Sequence, residues 1–159
     1  MSLFNMKEKA LMLQYMLTTD MVNLALEDAL EGSDLVEDQC RSLKNGSDLI
    51  LRIIEGSTLL EGKDFKEGLA PSMEGVSVYG YALSSIRILN KDKEIKGFTE
   101  YFENIRNDIE KLIAQKKKDN IDILLLKDFF LALGNSFRGD IQKESYLRNQ
   151  AYIREGRAR

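Results

Sequence analysis

Val36, Cys40, Leu43, Ser47, Ile50, Ile54 and Ser57 recur at alternating steps of four and three between residues 34 and 60. That spacing lays them along one face of an α-helix. Cys40, Ser47 and Ser57, with Gly46 and Gly56 beside them, are small, so a neighbouring helix can approach closely. Asn45-Gly46 is a turn dipeptide, and glycine inside a helix costs about 1 kcal/mol relative to alanine. The apolar phase nevertheless runs through residues 43–50 with no position inserted or lost. One uninterrupted helix of about 40 Å is therefore expected, and the rest of the chain is organised around it.

Met6–Leu30 reads as a first long helix with two neighbouring stripes: Ala10, Leu13, Leu17, Met21, Leu24 and Asp28 on one, Leu11, Tyr15, Val22, Leu26 and Ala29 on the other. So wide an apolar arc implies more than one packing neighbour. Thr18-Thr19-Asp20 is a candidate kink, because short polar side chains compete for backbone hydrogen bonds. Glu31-Gly32-Ser33 then makes a tight corner, with Asp34 as expected N-cap and Glu37 completing a capping-box spacing. So short a connection makes the first two helices antiparallel neighbours.

The second helix is expected to stop near Glu61-Gly62-Lys63. Pro71 either starts the third helix or kinks it. The third helix carries Met73, Val76, Tyr79, Leu83, Ile86 and Leu89, and the fourth Phe98, Phe102, Ile105, Ile109, Leu112 and Ile113. Glu100 and Glu103 near its start and Lys116-Lys117-Lys118 at its end suit the helix dipole. Asp119-Asn120 is the expected cap of a fifth helix whose Ile121, Ile123, Leu124, Leu125, Leu126, Phe129, Phe130, Leu131 and Leu133 are apolar nearly all round, as in a buried central helix or a protomer interface. Gly134 and Gly139 weaken its continuation, although Phe137, Ile141, Tyr146 and Leu147 could extend it. The fold class is thus all-α: an antiparallel bundle of about five helices with mostly up-down connections, residues 1–150 forming one domain and 151–159 a basic tail.

Composition narrows the chemistry. The chain of 159 residues is 43% apolar and 31% charged, with one proline, one cysteine and no histidine. Lacking histidine, it has no Ser-His-Asp or Cys-His triad, no histidine zinc site and no carboxylate-histidine di-iron centre. Gly-Ser-Asp-Leu occurs at residues 32–35 and 46–49, but no histidine exists to activate the serine. A lone cysteine gives no intramolecular disulfide, which points to a reducing cytoplasm. No phosphate loop, dinucleotide fingerprint or EF-hand pattern is present, and no apolar run reaches the length of a membrane span. No catalytic residue, metal or cofactor is expected.

Charge is unevenly distributed. Between Lys9 and Arg41 there is no Lys or Arg, whereas Asp20, Glu27, Asp28, Glu31, Asp34, Glu37 and Asp38 are all acidic. Glu27, Asp28 and Glu31 crowd the C-terminus of the first helix, where negative charge costs about 0.3–1 kcal/mol each, so this acidic corner is a candidate site for a cation or basic partner. Residues 138–159 are basic, with Arg138, Lys143, Arg148, Arg154, Arg157 and Arg159. Strictly alternating helices would bring this end to the acidic corner, in cis or on a second protomer.

The leading expectation is a non-catalytic adapter or chaperone-like protein that self-associates or binds an amphipathic segment of a protein partner. Met12 and Met16 of the methionine-rich first helix, Phe129 and Phe130 of the apolar fifth, and Arg148 and Arg154 are its candidate contacts. In size and composition the chain is comparable with helical chaperones of flagellar and type III export, an analogy of fold without a shared motif. Two alternatives are anion or nucleic-acid binding at the Arg-rich end, disfavoured by the sequence pI of 5.2, and a carboxylate metal site or enzyme using a group such as Asp128.

Overall fold

The computed structural model describes residues 6–59, 74–90, 97–117 and 119–156. Within them the chain forms five helices and no strand: α1 (Met6–Leu30), α2 (Glu37–Leu59), α3 (Glu74–Asn90), α4 (Phe98–Gln115) and α5 (Ile123–Gly156). The expected stop at residues 61–63, Pro71 and Met73 of the third helix, Lys118, Arg157 and Arg159 lie outside the described residues.

The expected all-α bundle is present, and α2 packs against α1, α3 and α4. Its inner face is as the spacing implied: Leu43, Ser47 and Ile50 are buried and Cys40, Ile54 and Ser57 half-buried, while Val36, ahead of the helix, is exposed. Asn45-Gly46 does not break it, because Gly46 is where α1 comes closest. A Cβ at residue 46 would stand 2.6 Å from Cγ2 of Val22. The same device joins α1 to α5, where a Cβ on Gly134 would stand 2.5 Å from Oγ1 of Thr19. Thr19 is fully buried and donates to the Met16 carbonyl at 2.6 Å, so Thr18-Thr19-Asp20 is a packing point within a continuous helix.

Helix ends depart from the expected caps. Asp34 does not cap α2. Instead the Gln39 side chain accepts the Val36 N–H at 2.9 Å and donates to Asp28. The chain before α2 is held elsewhere: Leu35 is buried, and its N–H donates to the Lys116 carbonyl at 3.2 Å, tying the corner to the end of α4. At the α1 end, Gly32 adopts φ +88° and donates to Ala29, while Ser33 donates to Asp28, closing carbonyls the helix leaves open. α5 is capped by Asp122, which accepts the Leu125 N–H at 3.0 Å, and not by Asp119-Asn120. Neither Gly134 nor Gly139 ends α5, and position 150 falls inside it.

Interhelical contacts fix the directions. Asp28 meets Gln39 across α1 and α2, while Ser57 meets Thr99 and Ser47 meets Glu110 across α2 and α4. Lys127 meets Glu27, and Arg138 meets Asp20, across α1 and α5. Each of these pairs is antiparallel. α4 starts beside the C-terminal end of α2 and so runs antiparallel to it, although α3 comes between them in the chain. Strict alternation therefore fails, and α5 leaves at the end opposite the acidic corner. Arg154 lies about 40 Å of helix beyond Lys127, so pairing of the basic end with its own acidic corner is ruled out.

The core is aromatic where α4 meets α5. The Phe102 and Phe129 rings lie 6.2 Å apart and Phe129 meets Phe130 edge-on at 5.3 Å. Tyr79 of α3 stands edge-on to Phe102, and Tyr81 stacks on Phe137 at 4.4 Å. Burial raises the pKa of Tyr79 against a smaller lowering by its hydrogen bond with Ser57, and burial alone raises that of Tyr101.

Candidate functional site: the outward face of α1

Both stripes read from α1 exist, but only one is packed. Thr19, Val22, Ala25, Leu26 and Ala29 face inward and are buried. Met6, Leu13, Leu17, Met21 and Leu24 face outward and are between 44% and 81% exposed. Gly46 of α2 and Gly134 of α5 let those helices close onto α1 at Val22 and Thr19, which buries that side of α1 and leaves the opposite side uncovered by them. Fully burying one leucine contributes about 1.5–3 kcal/mol. A continuous row of leucine and methionine in water is therefore unlike the scattered apolar residues of ordinary surfaces.

The row has the spacing of a helix-pairing seam. Ala10, Leu17 and Leu24 follow one another at seven residues, as do Met6 and Leu13, and such positions interlock with a second helix. Asp20 and Glu27 continue the second series, but each is turned to α5. Arg138 donates to both Asp20 carboxylate oxygens at 2.9 and 3.0 Å, and Lys127 reaches Glu27 at 3.4 Å. These two pairs stitch the α1–α5 seam, and between them the register places Leu24 level with Leu131. Leu131 and Leu124 of α5 are also exposed, so the apolar face continues onto that helix.

On its other edge the row borders a cleft of about 740 Å³ between α1 and α2. Leu17, Met21 and Tyr15 form one wall, and Asn45, Asp48 and Arg52 the other. An apolar helix laid on α1 would thus meet leucine and methionine along its centre and hydrogen-bonding groups along the α2 edge.

Of the residues singled out from sequence, Met12, Phe129 and Phe130 are buried in the chain's own core, where the Tyr81 hydroxyl meets the Met12 sulfur at 3.6 Å. Met16 is half-buried against the same core. The methionine-rich start reaches the surface through Met6 and Met21. Positions 148 and 154 lie in α5, and their side chains are outside those described.

Of the residues of the acidic corner, Glu27 and Asp28 lie in the last turn of α1, Glu31 and Asp34 in the connection, and Glu37 and Asp38 begin α2. Arg41 pairs with Glu37 and Asp38 at 3.8 and 3.3 Å, and Lys127 with Glu27. Asp128 is exposed on α5. Among the described residues no three Cys, Asp or Glu side chains converge to hold a metal ion, and no helix is long and apolar enough to cross a membrane. The sequence matches no protein-family model, and comparison with curated proteins and with solved structures gives no match.

Proposed function

We propose that this chain is a non-catalytic protein that works by protein–protein contact, receiving an amphipathic helix along the outward face of α1. The observation that carries this reading is the exposed row Met6, Leu13, Leu17, Met21 and Leu24, in which Leu17 and Leu24, and Met6 and Leu13, stand seven residues apart. Along the α2 edge the face is bordered by Asn45, Asp48 and Arg52, which suits the polar flank of an amphipathic helix. The single free Cys40 supports a reducing, cytoplasmic setting. The nucleic-acid alternative has less support, because Arg138, nearest the described bundle, is engaged by Asp20.

The test is a Leu13→Glu/Leu17→Glu variant. Native sedimentation of a tagged chain from cell extract is expected to show wild type in an assembly larger than its 18.2 kDa and the variant at the monomer position. The urea midpoint of the purified chain is expected to stay unchanged within about 0.5 kcal/mol, as for ordinary surface substitutions. Wild type sedimenting as a free monomer, or the variant keeping its assembly, would overturn the reading.

A further inference from the structure

We infer that the helix received by α1 is α1 of a second copy, antiparallel, with the two-fold axis at Leu17. This rests on the contact reading above and names its partner. The argument is charge along the helix direction. At one end of the α1–α5 pair stand Glu27, Asp28 and Glu31, with Asp34, Glu37 and Asp38 across the corner. Within these six carboxylates Arg41 and Lys127 form ion pairs with Glu37, Asp38 and Glu27, and Lys116 and Lys117 at the end of α4 lie beside the corner, where Leu35 meets the Lys116 carbonyl, so its net charge is −2. At the other end α1 begins with Lys7 and Lys9 around Glu8, and antiparallel α5 arrives there with Lys143 and with arginine at positions 148 and 154 against Asp140 and glutamate at positions 144 and 155, a net of +1. A parallel pairing of two copies sets acid against acid. An antiparallel pairing sets each acidic corner level with the partner's basic end, and the two-fold makes both contacts identical.

The apolar row selects the register. With the axis at Leu17, each position meets the partner's position equally far on the other side of residue 17. Leu17 then meets the partner's Leu17, Leu13 meets the partner's Met21, and Ala10 meets the partner's Leu24. Lys7 stands level with the partner's Glu27. Shifting the axis two residues toward the N-terminus places Ala10 against the partner's Asp20 and Met21 against the partner's Lys9. The two-fold at Leu17 keeps the central apolar layers matched. It also brings the partner's α1 N-terminal turns over Leu24 and the level of Leu131, two of the exposed leucines left by the monomer. The basic end of α5, which cannot reach its own acidic corner, is brought to the partner's.

Single-cysteine chemistry in a Cys40→Ser background tests both the partner and the direction. Under mild oxidation of the full chain, Leu17→Cys is expected to form a disulfide-linked dimer. Leu24→Cys alone is expected to stay monomeric, and Ala10→Cys/Leu24→Cys to cross-link. Light scattering of the unmodified chain is expected to give twice the chain mass, falling toward the monomer as salt is raised. Cross-linking of Leu24→Cys alone as readily as Leu17→Cys would show a parallel pairing and overturn the inference. So would a monomer at every concentration with no cross-link. That last result, combined with an assembly in extract that Leu13→Glu/Leu17→Glu abolishes, would leave the contact reading standing with a different partner.

Discussion

Val22 of α1 fills the notch left by Gly46 of α2, with its Cγ2 2.6 Å from where a Cβ on residue 46 would stand. Alanine at position 46 gains up to about 1 kcal/mol of helix propensity, but overpacking a close helix contact costs typically 1–3 kcal/mol. Gly46→Ala is therefore expected to lower stability in urea by about 1 kcal/mol. Combined with Val22→Ala it is expected to cost less than the sum of the two single changes, the mark of residues in direct contact. Additive costs would remove the notch as the reason for this glycine.

The glycines of α5 separate a packing role from a conformational one. A Cβ on Gly134 would stand 2.5 Å from Oγ1 of Thr19, whereas one on Gly139 would meet nothing within 4 Å. Gly134→Ala is expected to destabilise by about 1–3 kcal/mol, and Gly139→Ala to stabilise by up to about 1 kcal/mol through helix propensity. Equilibrium unfolding of the two variants side by side checks the pair, and equal signs would contradict the assigned α1–α5 register.

The start of α2 offers a third check. Gln39 accepts the Val36 N–H and also holds Asp28, so Gln39→Ala is expected to cost about 0.5–2 kcal/mol, the range of a lost N-terminal cap. Asp34→Ala, at the position the sequence favoured as cap, is expected to change stability by less than about 0.5 kcal/mol. Reversed magnitudes would restore Asp34 to that role.

What sequence could and could not show divides along physical lines. The inner stripes of α2 and α4 were legible because each helix has a single apolar face, and a single face can only turn inward. α1 was different: both its stripes are apolar, so periodicity could not say which one packs. The decision lies with the neighbours: Gly46 of α2 and Gly134 of α5 take in Val22 and Thr19, so the side of α1 with Val22, Leu26 and Ala29 is buried and the side with Leu13, Leu17 and Leu24 is exposed. Met12 and Met16 drew attention by composition, yet they serve the core, and the face that stands open carries the neighbouring positions. The caps were missed because Leu35 is committed to the α4 end, which moves the start of α2 past Asp34. The course of α3 depends on long-range packing among Tyr79, Tyr81, Ser85 and their neighbours, which no local spacing encodes.

Buried tyrosines set an alkaline limit on stability. Burial raises the pKa of both Tyr79 and Tyr101 above the ordinary value of 10.0. Above about pH 10 an unfolded chain releases these protons while the folded one keeps them, so stability is full below that value and declines as pH rises through the raised pKa. Urea midpoints are expected to be flat with respect to these groups below pH 10 and to fall above it. Tyr101→Phe is expected to flatten part of that fall, and an unchanged alkaline slope would show that this phenol is not the cause.

The most direct measurement of whether the outward face of α1 is a contact surface is radical footprinting in the cell and on the dilute purified chain. Labelling of Leu13, Leu17, Met21 and Leu24 is expected to be high in dilute solution and several-fold lower in the cell, while Val36 and Ile88, exposed away from the row, label equally in both. Equal labelling of the α1 row in the two states would mean that nothing covers this face, and would contradict a protein that works through it.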